Sequence, residues 1–364
     1  MAKFFKYPFQ AYFSSAMVLT LLSCLLCLLI PNISLNIQQT LLGNLLPSFI
    51  YTGFLVTAMP SWHHFKGNIT SFVMAIYVLL VLSYFLVFIN LNISMMILAF
   101  TWLCLLVFSV YLMWRDKSPD NINLLTIILF IFLIQIGYSQ NLSPQYLLSL
   151  LCAYLFSSVL VLFKISVMMG NEALKVTKLK NPIFIPNKIY RNLLASLLLL
   201  YVISNLYLDP SINGFIALGI GCLFLAKLKE LHYREFFIQP YIKTYYFIQF
   251  SNAICFLYLG FLQVTQQPIE QAFNFLLISA TFTSLCFMML IIALRHCDIN
   301  NLQLKDKKPY SIILLFFSAS VPYLCSIDAY YQHTISEILL CCASTLFIKN
   351  LLPVFIQYHQ KNNY

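Results

Sequence analysis

The sequence predicts an all-α, polytopic transmembrane helical bundle of about twelve spans with both termini cytoplasmic. Three observations predict it. Hydrophobic residues make up 61% of the chain and charged residues 9%, with a mean hydropathy of +0.85, whereas a soluble domain is roughly a quarter charged. The apolar residues fall in runs of about 17–25, the length that crosses a hydrocarbon core of about 30 Å. All 21 lysines and arginines can be placed on one side of the membrane.

The runs lie near residues 11–30, 41–59, 69–90, 92–113, 121–138, 146–166, 190–207, 211–227, 242–263, 270–294, 309–327 and 334–356. In lipid the backbone must satisfy its own hydrogen bonds, so these runs are helices. Barrel strands would show alternation in segments of about ten residues instead. Lys3 and Lys6 precede the first run. Its far end, Leu29-Ile30-Pro31-Asn32, has no small-x-small cleavage site, so it reads as an uncleaved signal anchor. The second run ends at Lys66 and the fourth at Arg115 and Lys117, while the first, third and fifth connections hold no cation. The sixth run and the segment after it carry Lys164, Lys175, Lys178, Lys180, Lys188 and Arg191. The eighth connection carries Lys227, Lys229, Arg234 and Lys243, the tenth Arg295, Lys305, Lys307 and Lys308, and the C-terminal end Lys349 and Lys361. The seventh, ninth and eleventh connections contain Asp209, Glu270, Asp328 and Glu337 but no cation. This alternation is what the positive-inside rule gives for an even number of spans with both ends inside. His63, Arg191 and His296 then face the cytoplasm, and Asp209, Glu270 and Asp328 face outward.

The chain reads as one membrane domain, 1–364, with no connection long enough for a soluble domain. The longest, 167–189, is a cytoplasmic loop that divides the spans into two six-helix halves, 1–166 and 190–364, as in transporters built from repeats. No sequence repeat relates the halves. The loop holds Gly170, Pro182 and Pro186. It reads equally as an interfacial helix over Asn171–Leu179 followed by an extended Asn-Pro-Ile-Phe-Ile-Pro stretch, since each proline disfavours helix for the residue before it.

The net charge of +10 does not indicate nucleic acid. Its cations are scattered over short segments at one leaflet, where they set topology and meet anionic headgroups. The expected partners are therefore the lipid bilayer and the headgroups of its cytoplasmic face, with no nucleic acid; oligomeric state is not encoded in any pattern seen here. Of the eleven cysteines, most sit inside predicted spans as small, soft apolar residues. Cys24-Leu-Leu-Cys27 has redox-motif spacing but lies in an apolar helix with no group to lower a thiol pKa.

No phosphate loop, HExxH, GxSxG or glycine-rich dinucleotide loop is present, so no catalytic residue is assigned. Six histidines are candidate ligands. His63 and His64 sit in Pro60-Ser61-Trp62-His63-His64-Phe65-Lys66, His232 and His296 at inner ends, His333 at an outer end and His359 in the tail. One reading leaves them as interfacial residues finishing helices. The other brings His63 or His64 together with His296 at a cytoplasmic-side metal or haem site. Adjacent histidines point in different directions, so at most one of the pair faces a shared site. Intramembrane polar residues are Gln135, Asn205, Gln249, Asn252, Gln263 and Asn274. None is ionisable, and interhelical hydrogen bonding accounts for such residues. Gln249 and Asn252 share a helix face.

The stretch from Leu42 to Lys66, LGNLLPSFIYTGFLVTAMPSWHHFK, resembles the signature of the NnrS family, whose second span reads close to GFLLTAVPNW. Tyr190-Arg191-Asn192-Leu193 resembles the family's arginine-asparagine segment, and Leu294-Arg295-His296-Cys297 is similar to its Gly-His-Thr-Gly ending. The resemblance implies a twelve-span bacterial inner-membrane protein linked to nitric oxide and nitrosative stress, with haem and copper as family cofactors. It implies His63, His64, Arg191 and His296 as cofactor-binding residues, with His63 and His296 as metal ligands. The chain departs from the pattern elsewhere. Ile37-Gln38-Gln39-Thr40 replaces a His-Glu-Met segment, Tyr245, Tyr246 and Phe247 stand where the ninth span has a histidine, and Gln271 and Asn274 where the tenth has another. The expectation is a diverged member in which no complete cofactor site forms.

Two function classes follow. A stress-response member of this kind gathers polar residues near the second, ninth and tenth spans. A small-molecule or envelope-precursor transporter or polymerase needs a water-accessible central cavity with convergent polar groups. Within the signature, Gly53, Thr57 and Ala58 place small side chains on a face expected to pack against other helices; Leu55→Phe is expected to be tolerated.

Overall fold

The apolar runs become twelve successive helical segments, and the described part is 88% helical with no strand. The computed structural model describes residues 7–30, 35–116, 122–175, 183–233, 236–297, 308–325 and 327–361. Lys3, Lys6, Lys117, Lys178, Lys180, Arg234, Lys305 and Lys307 lie outside the described residues, as do Pro182 and the side chain of His296. Ten helices are long and apolar enough to cross a membrane. The other two are shorter, α4 (Thr70–Leu86) and α13 (Lys308–Ser318).

The first compact unit is Met1–Tyr154. It contains α1 (Pro8–Leu29), α2 (Leu35–Thr40), α3 (Leu46–Trp62), α4, α5 (Leu91–Asp116), α6 (Ile122–Gln140) and the start of α7 (Pro144–Lys175). A π-helical segment, Leu41–Leu45, joins α2 to α3, so 35–62 is one continuous rod. Its apolar core is 94% buried. A π turn widens the helix by one residue and re-aims the side chains that follow. Gly53 of this rod lies against α1: a Cβ there would overlap Cβ of Tyr12, whose hydroxyl donates to Val73 O at 2.8 Å. The small-residue face is therefore packed as expected. Leu55, however, is 0% exposed, so the tolerance expected for Leu55→Phe does not hold; the added volume has no lipid-facing side to enter.

Helix α5 shows how a span serves two surroundings. Ile93, Met96, Phe100, Val107, Val110 and Trp114 are exposed, and Ser94, Leu98, Trp102, Leu105, Ser109 and Leu112 are buried. Both stripes follow a three-four spacing. The exposed stripe is wholly apolar, and the serines lie on the buried one. That is the reverse of a water-soluble helix and suits a lipid-facing surface.

The second unit is Leu155–Tyr364, the boundary falling within α7. Helix α7 runs unbroken for 32 residues to Lys175, so the start of the Asn171–Leu179 segment continues the span rather than forming a separate interfacial helix. Residues 183–187 are extended and lie against the end of α7. Asn171 Oδ1 accepts from Phe184 N at 2.8 Å. The Phe184 ring lies on Gly170 and edge-on to Phe236 at 5.2 Å. Ile183 and Ile185 alternate outward and are exposed. Asn187 caps α8 (Lys188–Tyr207) by accepting from Ile189 N at 2.8 Å, and Asn187 N donates to Glu230 Oε1 at 2.8 Å.

Helices α9 (Pro210–Leu228) and α10 (Pro240–Val264) meet backbone to backbone. A Cβ on Gly260 would lie 2.7 Å from Gly214 O and 2.8 Å from Leu218 N, and one on Gly214 would lie 2.7 Å from Val264 N. The second continuous rod follows: α11 (Glu270–Phe275), a π-helical segment Leu276–Phe282, and α12 (Thr283–His296), its core fully buried. The eleventh run is shorter than its apolar length predicts. Helix α13 ends at Ser318 and a 3₁₀ turn covers Val321–Leu324. Pro322 has no N–H to give, and Ser318 and Ser320 donate to the carbonyls of Leu315 and Phe317. Helix α14 (Ala329–Lys361) closes the chain.

Candidate functional site

Three histidines, His63, His232 and His333, are each held by a local partner. His63 follows the last turn of α3; its N–H reaches Met59 O at 3.1 Å. Its side chain is 2% exposed, and Nδ1 lies 3.1 Å from Asp116 Oδ2 at the end of α5. His64 takes φ 46, the left-handed turn usually given to glycine at a helix end, and this carries Phe65 N back to Pro60 O at 2.8 Å. Its side chain is exposed. Arg115 stacks on the Phe65 ring at 4.7 Å, so the Trp62-His63-His64-Phe65 turn is bound to the end of α5 at two points. In the second unit, His232 Nε2 lies 3.0 Å from Tyr246 OH and His333 Nδ1 lies 3.0 Å from Tyr323 OH. His296 is the last residue of α12. Arg191, in the first turn of α8, lies 4.7 Å over the Phe163 ring and donates from Nε to Asn192 Oδ1 at 2.9 Å.

Among the described residues no three His, Cys, Asp or Glu side chains come together in a way that could hold a metal ion. That donor set does not fit a copper centre, which takes several soft or imidazole ligands. The carboxylate beside His63 is the kind of partner that orients a ligating imidazole, but one oriented imidazole is not a site. Sequence reasoning did not single out Asp116; a carboxylate just beyond an apolar run, at the same membrane level as His63, was the available signal.

The intramembrane polar groups divide by unit. In the first, Asn44 of the π segment is 0% exposed and fully engaged. Its Nδ2 donates to Gln135 Oε1 at 2.9 Å and to Met95 Sδ at 3.4 Å, and its Oδ1 accepts from Tyr154 OH at 3.0 Å. Ser48, one turn on, lies 2.7 Å from the same hydroxyl. Thr40 and Tyr138 join at 2.6 Å. The network ties 35–62 to α5, α6 and α7. The interhelical role expected of Gln135 is therefore met, and Gln263 meets it too, its Nε2 donating to Tyr201 OH at 3.0 Å.

In the second unit, a polar contact joins α10 to the rod 270–296. Cys255 Sγ and Ser279 Oγ meet at 2.7 Å. Ser279 also donates to Phe275 O, and Thr283 donates to Ile278 O, five residues back as the π register demands. Gln249 and Asn252 of α10 and Thr281 and Ser284 of the rod are buried, and their side-chain polar atoms have no hydrogen-bond partner.

Buried amides and hydroxyls thus occur on 35–62, on α10 and on 270–296, the second, ninth and tenth spans, and also on α5, α6 and α7. No curated protein sequence and no solved structure matches the chain. A model of the NnrS protein family matches residues 3–358. With nearly its whole length matched and its helices and polar groups laid out on those spans, the chain belongs to the NnrS family.

Proposed function

We propose that this multi-pass membrane protein acts in the bacterial inner membrane, in the response to nitric oxide and nitrosative stress, and that it has lost the family's haem and copper binding. The observation that carries this reading is the chemistry of the polar groups on the second, ninth and tenth spans. They are amides and hydroxyls (Asn44, Ser48, Gln249, Asn252, Ser279, Thr281), not imidazoles. Family membership supplies the physiological setting. His63, His64 and His296 are then a remnant on the cytoplasmic side, and Arg191 anchors the start of α8 or a lipid headgroup rather than a haem propionate.

The purified full-length protein is expected to be colourless, with no Soret band and no stoichiometric metal. A Soret band that vanishes in His296→Ala, or tightly bound copper, would overturn the loss. A deletion strain should grow more slowly than its parent under a nitric oxide donor and equally without it; equal growth in both conditions would remove the stress role.

The same reading places both termini, His63 and His296 in the cytoplasm, supported by the segregation of the cations. In intact cells, a membrane-impermeant thiol reagent should label a cysteine at position 328 from outside and leave one at position 361 untouched. The reverse pattern would invert the topology.

A further inference from the structure

Helix α7 is enclosed for most of its length and then opens. Between Leu147 and Phe163 only Leu160 is partly exposed, and Lys164 is exposed. Lys164 stands twenty residues beyond Pro144, about 30 Å at about 1.5 Å per residue. That is the thickness of the hydrocarbon core, so Lys164 emerges where acyl chains give way to headgroups. Arg191, in the first turn of α8, comes to the same level. Its guanidinium lies 4.7 Å over the ring of Phe163, the residue before Lys164. The two cations are close enough for the charge of Arg191 to act on Lys164.

Like charges brought together repel, and here the fold holds one of them in place without a counter-charge. Arg191 is pinned by the Phe163 ring and by the bond from its Nε to Asn192 Oδ1 at 2.9 Å. Among the described residues the ion pairs are His63 with Asp116 and Lys175 with Glu172, so no described carboxylate lies within ion-pair distance of Arg191. Glu230, which accepts from Asn187 N just before α8, feels the charge of Lys227 instead. A guanidinium pairs with a phosphate through two parallel N–H bonds, and an ammonium beside it adds a point charge.

The surroundings are apolar. The same turn of α8 exposes Ile189 and Leu193, at 64% and 48%. One turn closer to the membrane centre, Leu160 of α7 and Ala195 of α8 are partly exposed. A free anion in water has no use for such a surface. A lipid whose phosphate meets the cations lays its acyl chains along it. A zwitterionic headgroup would bring a third cation to the pair, whereas phosphatidylglycerol brings the phosphate alone.

We propose that Lys164 and Arg191 form a docking site, between α7 and the start of α8, for the phosphate of an anionic phospholipid of the inner leaflet. The proposal rests on the reading above for the cytoplasmic side and for the absence of a haem propionate at Arg191.

The test is native mass spectrometry of the full chain released from nanodiscs of phosphatidylcholine with a minority of phosphatidylglycerol. The wild type should retain phosphatidylglycerol in preference to phosphatidylcholine. Retention should fall in Arg191→Gln and in Lys164→Gln, and about tenfold in the double variant, the loss of one or two charge-assisted bonds. Lys229→Gln/Lys349→Gln removes the same charge from exposed positions elsewhere and should retain the lipid as the wild type does. Lys164 is a surface residue, so Lys164→Gln reads the site even where the double variant fails to fold. Equal retention in wild type and Lys164→Gln, equal loss in the control pair, or equal retention of phosphatidylcholine would each overturn the proposal. So would displacement of the lipid by millimolar inorganic phosphate, which would make this a free-anion site. The absorption spectrum separates the two readings. A colourless wild type that retains no phosphatidylglycerol sinks the lipid site alone, and a Soret band sinks both.

Discussion

Gly260→Ala should sharply reduce the yield of folded protein, and Gly260→Leu should abolish it. The atoms that would meet a new Cβ are Gly214 O and Leu218 N, and neither can rotate away as a side-chain tip does. The α9–α10 contact must open, losing packing along its whole length, at about 1–3 kcal/mol for alanine and more for leucine. Gly53→Leu should behave similarly, since its obstacle is the root of the Tyr12 side chain. Gly219 is the internal control: its nearest neighbour is Leu197 Cδ1 at 3.5 Å, an ordinary contact. Gly219→Ala should therefore be neutral or stabilise by up to about 1 kcal/mol through helix propensity. Fluorescence-detected size exclusion and thermal midpoints measure all four. If Gly260→Ala matches Gly219→Ala, the seam is not a tight one.

Asn44→Leu is the second large effect. It leaves Gln135 Oε1 without its Asn44 donor and takes from Tyr154 OH its carboxamide acceptor, both deep in the first unit. The expected loss is about 1–3 kcal/mol. Gln135→Leu alone should cost a similar amount, but the double variant should cost less than the sum, because the groups left stranded by one change are removed by the other. Additive losses would mean that the amide–amide bond contributes nothing of its own.

The bundle was legible because lipid leaves few choices. Run length and cation placement mark most helix ends within a few residues; the exceptions are α7, which continues past the sixth run to Lys175, and α13, which stops at Ser318 ahead of Pro322. The π segments had no such signal. Leu41–Leu45 and Leu276–Phe282 are as apolar as the α-helix around them, and only packing reveals where an extra residue is accommodated. The α9–α10 seam was hidden for a related reason: Gly214 and Gly260 are far apart in sequence, and each alone is an ordinary glycine in a span. The signature around Gly53 predicted a packed face but not that Leu55, on another side, would be enclosed as well. Among the site residues, Gln249 and Asn252 could be seen as a shared face. That they lack partners, whereas Gln135 and Gln263 have them, follows from which helices come alongside.

The buried amide and hydroxyl groups of α10 and the rod 270–296 are neutral at every physiological pH. A unit charge moved through 100 mV gains or loses about 2.3 kcal/mol; this buried layer carries no charge, so its packing exchanges no such work with the field and is the same in an energised and a de-energised membrane.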